Sequence, residues 1–177
     1  MKTISFEEYI NNYANYLADP NPTIVGVVSN DICILSAKGK HNEDYCESHN
    51  IKVHYTGHRG GCIVNFKNDI SVGLINTNIT VDYLVDVFVN YFRQMGLDSY
   101  YDGNDIMVNN HKVIGISRKE IEGKISIALH VSIDMDLGLI ENICIKPMNK
   151  VPKGLSDFGV TREDIIELIN TKIINKL

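Results

Sequence analysis

Two stretches of the chain carry residues suited to chemistry on an anionic ligand. In Asp102-Gly103-Asn104-Asp105-Ile106-Met107-Val108-Asn109-Asn110-His111-Lys112-Val113-Ile114-Gly115, a polar loop, a strand, a turn and a second strand bring Lys112 back to the level of Asn104 and Asp105. An ammonium on a long stem neutralises a carboxylate and a neighbouring phosphate as they react. Asp105 is a candidate magnesium ligand, because that ion prefers carboxylate oxygens and nucleotide phosphates. The second stretch is Arg59-Gly60-Gly61. Its glycines allow close backbone approach to a ligand, and arginine pairs with carboxylate or phosphate. Each stretch also reads as plain structure, a surface hairpin with an exposed lysine and a tight turn with a surface arginine. Short motifs of this kind match by accident, and spacing alone leaves both readings open.

Other chemistries lack an anchor. The six histidines (His41, His49, His54, His58, His111 and His130) form no H-x-H pair, only His54 and His58 stand four apart, and no G-x-S-x-G elbow, G-x-G-x-x-G or P-loop pattern occurs. Cys33, Cys46, Cys62 and Cys144 are scattered without a C-x-x-C spacing, so buried free thiols are expected rather than zinc or a disulfide framework. A net charge of −5 argues against non-specific nucleic-acid binding. The apolar runs are too short to span a bilayer, and acids near the N-terminus stand where a signal peptide would be apolar, so the cytoplasm is the expected compartment.

The elements that must position these residues follow from the apolar pattern. Phe6, Tyr9, Ile10, Tyr13 and Leu17 have helical spacing, stopped by Asp19-Pro20. Thr23–Val28 and Ile32–Ser36 read as strands joined by the turn Ser29-Asn30-Asp31, and Asn42–His49 as a short helix capped by Asn42. Strands are expected at Ile51–Tyr55, Cys62–Phe66 and Ile70–Ile75. A helix opens at Thr80 and ends near Gly96. Ile106–Val108 and Lys112–Ile116 flank an Asn109-Asn110 turn, Lys124–Ile133 alternates like a half-covered strand, and Thr161 caps a last helix. The order predicts one α+β domain over residues 1–177. Its expected core is a mixed, largely antiparallel sheet with helices packed on one side.

In this order, the motifs resemble the lipoate/octanoate branch of the biotin/lipoate protein ligase superfamily. Residues 51–64 resemble its "gI-x-V-x-R-x-x-GG-x-x-V" segment, and residues 68–75 its "gN-L-x-x-S-x-I" strand. Gly103-Asn104-Asp105-Ile106 is similar to "G-R-N-D-L", and His111–Gly115 to "x-K-I-x-G". Ala128–Leu137 is similar to "L-A-L-N-V-x-x-D-L". The glycine- and arginine-rich loop of biotin ligases is not matched. The resemblance implies a ligase that makes an acyl-adenylate from ATP, with magnesium, and attaches lipoate or octanoate to a lysine of a lipoyl domain or glycine-cleavage H protein. Lys112 would be the reaction-centre lysine, and Arg59, Gly60, Gly61, Gly115 and Ala128 the acyl site. Asn104 and Asp105 would face nucleotide and metal.

The departures imply alternatives. The octanoyltransferases' nucleophilic cysteine of "I-N-P-C-G" is replaced by Met148 in Ile145-Lys146-Pro147-Met148-Asn149, so octanoyl transfer from acyl carrier protein would need Cys144 or Cys62. The ligases' arginine before Asn-Asp is Gly103, their double arginine is Thr56-Gly57, and an aromatic-histidine pair is Asn65-Phe66. A paralogue that binds an acyl chain or a lipoyl domain without chemistry is the reading these losses imply. The small accessory domain carried by many ligases is not expected within these residues.

Overall fold

The computed structural model describes residues 2–55, 62–146 and 148–176. A seven-stranded sheet holds β1 (Lys2–Ser5), β2 (Thr23–Val28), β6 (Ile70–Ile75), β10 (Lys124–Val131), β9 (His111–Ile121), β8 (Asp105–Val108) and β7 (Ser99–Asp102) in that order across it. Its neighbouring strands are antiparallel except the β1–β2 pair. A smaller sheet, β4-β3-β5, is built from β3 (Cys33–Ser36), β4 (Lys52–Tyr55) and β5 (Cys62–Asn65).

The Ser29-Asn30-Asp31 turn joins β2 to β3 as expected, but the two strands do not pair. β2 and β3 lie in different sheets, because both are already flanked by longer-range partners. The sheet also carries helices on both faces rather than one. On one face Ile106, Val108, Ile114, Ile116, Ile127 and Leu129 pack with Leu84, Phe88 and Phe92 of α3 (Val81–Gln94) and Ile165 and Leu168 of α5 (Arg162–Leu168). On the other, α1 (Phe6–Ala18) lays Tyr9 so closely over Gly73 that a Cβ there would meet the phenol oxygen at 2.6 Å. Burial pushes the Tyr9 hydroxyl up, beyond the ordinary phenol range. The small sheet packs its Ile34 and Val64 with Cys46 of α2 (Glu43–Ser48) and Ile140 and Ile143 of α4 (Leu137–Ile143).

Caps and turns follow the residue types. Asn42 and Thr80 accept from Tyr45 N and Tyr83 N. Asn109 (φ 48°) and Asn110 (φ 65°) form a turn with both central residues left-handed, the geometry that matches strand twist in a two-residue hairpin. Thr161 and Asp164 form a reciprocal capping box on α5. Thr161→Ala should therefore cost about 1 kcal/mol in a denaturant titration. The Thr161 hydroxyl and backbone N–H hold the Asp164 carboxyl below its usual range. That contribution is present above the unfolded carboxylate range and fades as pH falls through the lowered folded value. A Tm–pH profile should show less acid sensitivity for Asp164→Asn.

Among the described residues, no helix is long and apolar enough to cross a membrane.

Candidate functional site

Lys112 lies on β9, and regular alternation would point it into the core with Ile114 and Ile116. The β8–β9 register prevents that. Asp105 pairs with Gly115 and Ile106 with Ile114, but Met107 pairs with Lys112, leaving Val113 as an extra residue. The bulge turns two successive residues, Val113 and Ile114, into the core. Lys112 is thereby placed on the opposite face with Gly115 and Asp105.

The side chains meet there. Lys112 Nζ is 2.8 Å from Asp105 Oδ1, and a Cβ on Gly115 would lie 3.5 Å from the same ammonium. Lys112 remains 39% exposed and Asp105 16%. The second Asp105 oxygen is taken as well, with Lys150 Nζ 2.9 Å from Oδ2. Lys150 also donates to the Asp102 carbonyl and lies 3.2 Å from its carboxylate. Burial works against the Lys150 charge, but the hydrogen bonds and charges of Asp105 and Asp102 outweigh it and hold the ammonium above the ordinary lysine range.

The cross-strand rows extend this face. His130 stands opposite Gly115, with Ser71 opposite it on β6. One step along, Ser117, Ala128 and Gly73 form the next row. Gly115 and Ala128 add little bulk to this face beside Lys112, while Tyr9 covers its Gly73 end. His130 Nδ1 pairs with Ser71 Oγ at 3.1 Å, and its Nε2 lies 3.4 Å from Asp69 Oδ2. Buried Asp69 accepts from Phe66 N and Ile133 N, tying the end of β10 to the β5–β6 turn.

The residues do not fit a ready magnesium site. Both Asp105 oxygens carry ammoniums, and no group of three His, Cys, Asp or Glu suited to a metal occurs among the described residues. A divalent ion at Asp105 would face two cations across one carboxylate.

The sequence profile described as lipoyl protein ligase A/B catalytic domain matches residues 5–170. The chain belongs to this family. No curated protein matches it by sequence. Solved structures of similar fold include lipoate–protein ligases. LipL1 of P. falciparum, solved in complex with lipoate, superposes with a TM-score of 0.75 at 16% identity over 98% of this chain. This chain spans 60% of that protein's length. The bipartite lipoate protein ligase of Thermoplasma acidophilum, studied with its E2 lipoyl domain, gives 0.76 at 15% identity, over 97% of this chain and 83% of its own. A lipoate-protein ligase A bound with ATP gives 0.75 at 14%, over 96% and 80%.

Within this lipoyl ligase A/B domain the structure brings Lys112, Asp105 and Gly115 together and puts Ala128 on the same face, one row on. Asn104 sits exposed in the β7–β8 turn, its carbonyl accepting from Ile116 N. Arg59, Gly60 and Gly61 lie outside the described residues. An open hollow of about 420 Å³, lined by residues including Asn68, Asp134, Thr161 and Arg162, contains none of the predicted site residues. Sequence reasoning missed Lys150, because nothing in its spacing links it to Lys112 across 38 positions. The link is a backbone one: Lys112 N donates to Val151 O and Lys153 N to Lys112 O.

The structure also joins two cysteines that look unrelated in sequence. Cys62, on β5, hydrogen-bonds Cys144 at the end of α4, which lowers the Cys144 thiol against the effect of burial. The same contact, with burial, raises Cys62.

Proposed function

We propose that this domain is a lipoate– or octanoate–protein ligase that works through an acyl-adenylate. One oxygen of the acid attacks the α-phosphorus of ATP and pyrophosphate leaves. A lysine amine on a lipoyl domain or glycine-cleavage H protein then attacks the acyl carbon, and AMP leaves. Lys112 holds the acyl carboxylate and the charge that develops beside it, and Asp105 fixes the direction of that ammonium. Gly115 and Ala128 leave room for the acyl chain on the same face. Asn104 faces the nucleotide, and Arg59, Gly60 and Gly61 border the acyl site. Magnesium would travel on the nucleotide phosphates and neutralise them.

The observation that carries the reading is the bulge-directed Lys112, open to solvent beside Gly115 and braced by Asp105. The test is incubation with ATP, magnesium and either acid, followed by mass spectrometry for acyl-AMP. Acyl-AMP with one or both acids is expected, and none with either would refute the ligase.

Cys62 and Cys144, both partly exposed and packed on one cluster, are the thiols that a second reading would need, octanoyl transfer from acyl carrier protein through a thioester. The two separate cleanly. Under the ligase reading Cys144→Ser keeps acyl-AMP formation within about twofold, the size of a mild change away from the reacting groups. A transferase would lose turnover entirely and would trap no acyl group on the variant.

A further inference from the structure

We propose that Lys150 is the second cation of the site and holds the phosphates of the nucleoside triphosphate while Lys112 holds the acyl carboxylate. The inference rests on the acyl-adenylate reading, and four observations carry it.

The first is registration. The segment containing Lys150 is laced to the strand of Lys112: Pro152 bridges Lys112 in parallel, with Lys112 N donating to Val151 O at 3.2 Å and Lys153 N to Lys112 O at 3.0 Å. Lys150 is thus fixed relative to Lys112, unlike a free surface lysine. The second is the shared carboxylate. Asp105 has one ammonium on each oxygen, at 2.8 and 2.9 Å. The two cations therefore flank one point, as adjacent carboxylate and phosphate groups would require.

The third is charge. Lys112 and Lys150 are balanced by Asp105 and Asp102, so the cluster is neutral at rest. Asp102 is 57% exposed, so its pairing with Lys150 adds little stability. A polyphosphate can replace that hydrated carboxylate at small cost, and it brings several charges in exchange. The fourth is access. Gly103 has φ +70°, and a Cβ there would lie 3.8 Å from Lys150 Nζ. Without a side chain at 103, the β7–β8 turn leaves the ammonium approachable. No arginine flanks Asn104-Asp105 along the chain, where Gly103 and Ile106 stand.

The test compares wild type with Lys150→Met, Lys150→Arg and Asp102→Asn. ATP affinity is measured by calorimetry without acid, and KM for ATP and for acid in acyl-AMP formation. Lys150→Met should weaken ATP binding and raise its KM by at least about tenfold, the loss of one charge-assisted hydrogen bond, with the acid KM within about twofold. Lys150→Arg should recover most of this. Asp102→Asn removes the competing carboxylate and should tighten ATP about two- to threefold, which keeps the proposal testable if Lys150→Met fails to fold.

Unchanged ATP affinity in Lys150→Met, equal losses for ATP and acid, or no gain in Asp102→Asn would overturn the assignment. A wild type that makes acyl-AMP while showing those results retains the ligase reading and loses this one. A wild type that binds ATP through Lys150 yet makes no acyl-AMP does the reverse. A wild type that does not bind ATP loses both.

Discussion

Lys112→Ala is expected to cut acyl-AMP formation by about a hundred- to thousandfold, the usual consequence of removing one preorganised group that stabilises developing charge. Stability should barely move. Lys112 is a partly exposed residue in an ion pair, and such pairs contribute on the order of 0–1 kcal/mol. Asp105 would still be paired with Lys150 and so would not be left buried without a cation. The combination is diagnostic: a melting curve within a degree or two of wild type, with product lost in the mass spectrum. Lys112→Arg should rescue poorly, since a planar fork cannot occupy the point position of an ammonium 3.5 Å above the Gly115 Cβ site. If Lys112→Ala retained activity within about threefold, the reaction centre would lie elsewhere.

Gly154→Ala should have the largest effect on folding. Gly154 has φ −75° and ψ 145°, angles that alanine accepts without strain. Space is what it lacks. A Cβ there would lie 2.5 Å from the Ile133 carbonyl oxygen and 3.2 Å from Asp134 Cα, both backbone atoms. Those atoms cannot swing away, because Ser132 O and Ile133 O accept from Leu155 N and Ser156 N. Overpacking of this kind costs about 3 kcal/mol, or roughly 6–12 °C in Tm for a chain of this size. The damage should also reach the chemistry. Residues 150–153, which run beside Lys112, lead directly into Gly154, so forcing the two backbones apart moves that segment. A variant with unchanged Tm would show that the 133–134 backbone yields more easily than its hydrogen bonds indicate.

The legible parts of the fold were those where residue type and local geometry coincide. Thr23–Val28 and Ile70–Ile75 carry β-branched runs and form the strands expected at those bounds. Asn42, Thr80 and Thr161 cap as polar residues before apolar periods do. What local pattern missed was decided by distant partners. β1 has a single apolar residue facing the core, Ile4, and exists because β2 lies alongside. β9 runs on past Ile116 through Ser117, Arg118, Lys119 and Glu120 because β10 pairs with all of them. α4, capped by Asp136, lies in the stretch between the strand ending near Ile133 and the last helix, where the apolar pattern marked no element. At the site, the return of Lys112 to the level of Asp105 follows from a two-residue Asn-Asn turn and was readable, whereas the bulge that sets its face was not. The Lys150 contact is made by tertiary folding and left no local trace.

The Val113 bulge makes Lys112 hard to transplant. On a regular antiparallel hairpin, two residues of one strand share a face only when an even number separates their positions, whereas Lys112 and Gly115 are three apart. Copied residue for residue onto an ideal two-stranded scaffold, the same sequence would aim its lysine at the hydrophobic interior. An engineer would have to carry the irregularity along or shift the lysine by one position. The same arithmetic applies to mutation: deleting Val113 removes the extra residue, leaves Lys112 two positions from Gly115, and so keeps the charge on the same face with a regular ladder.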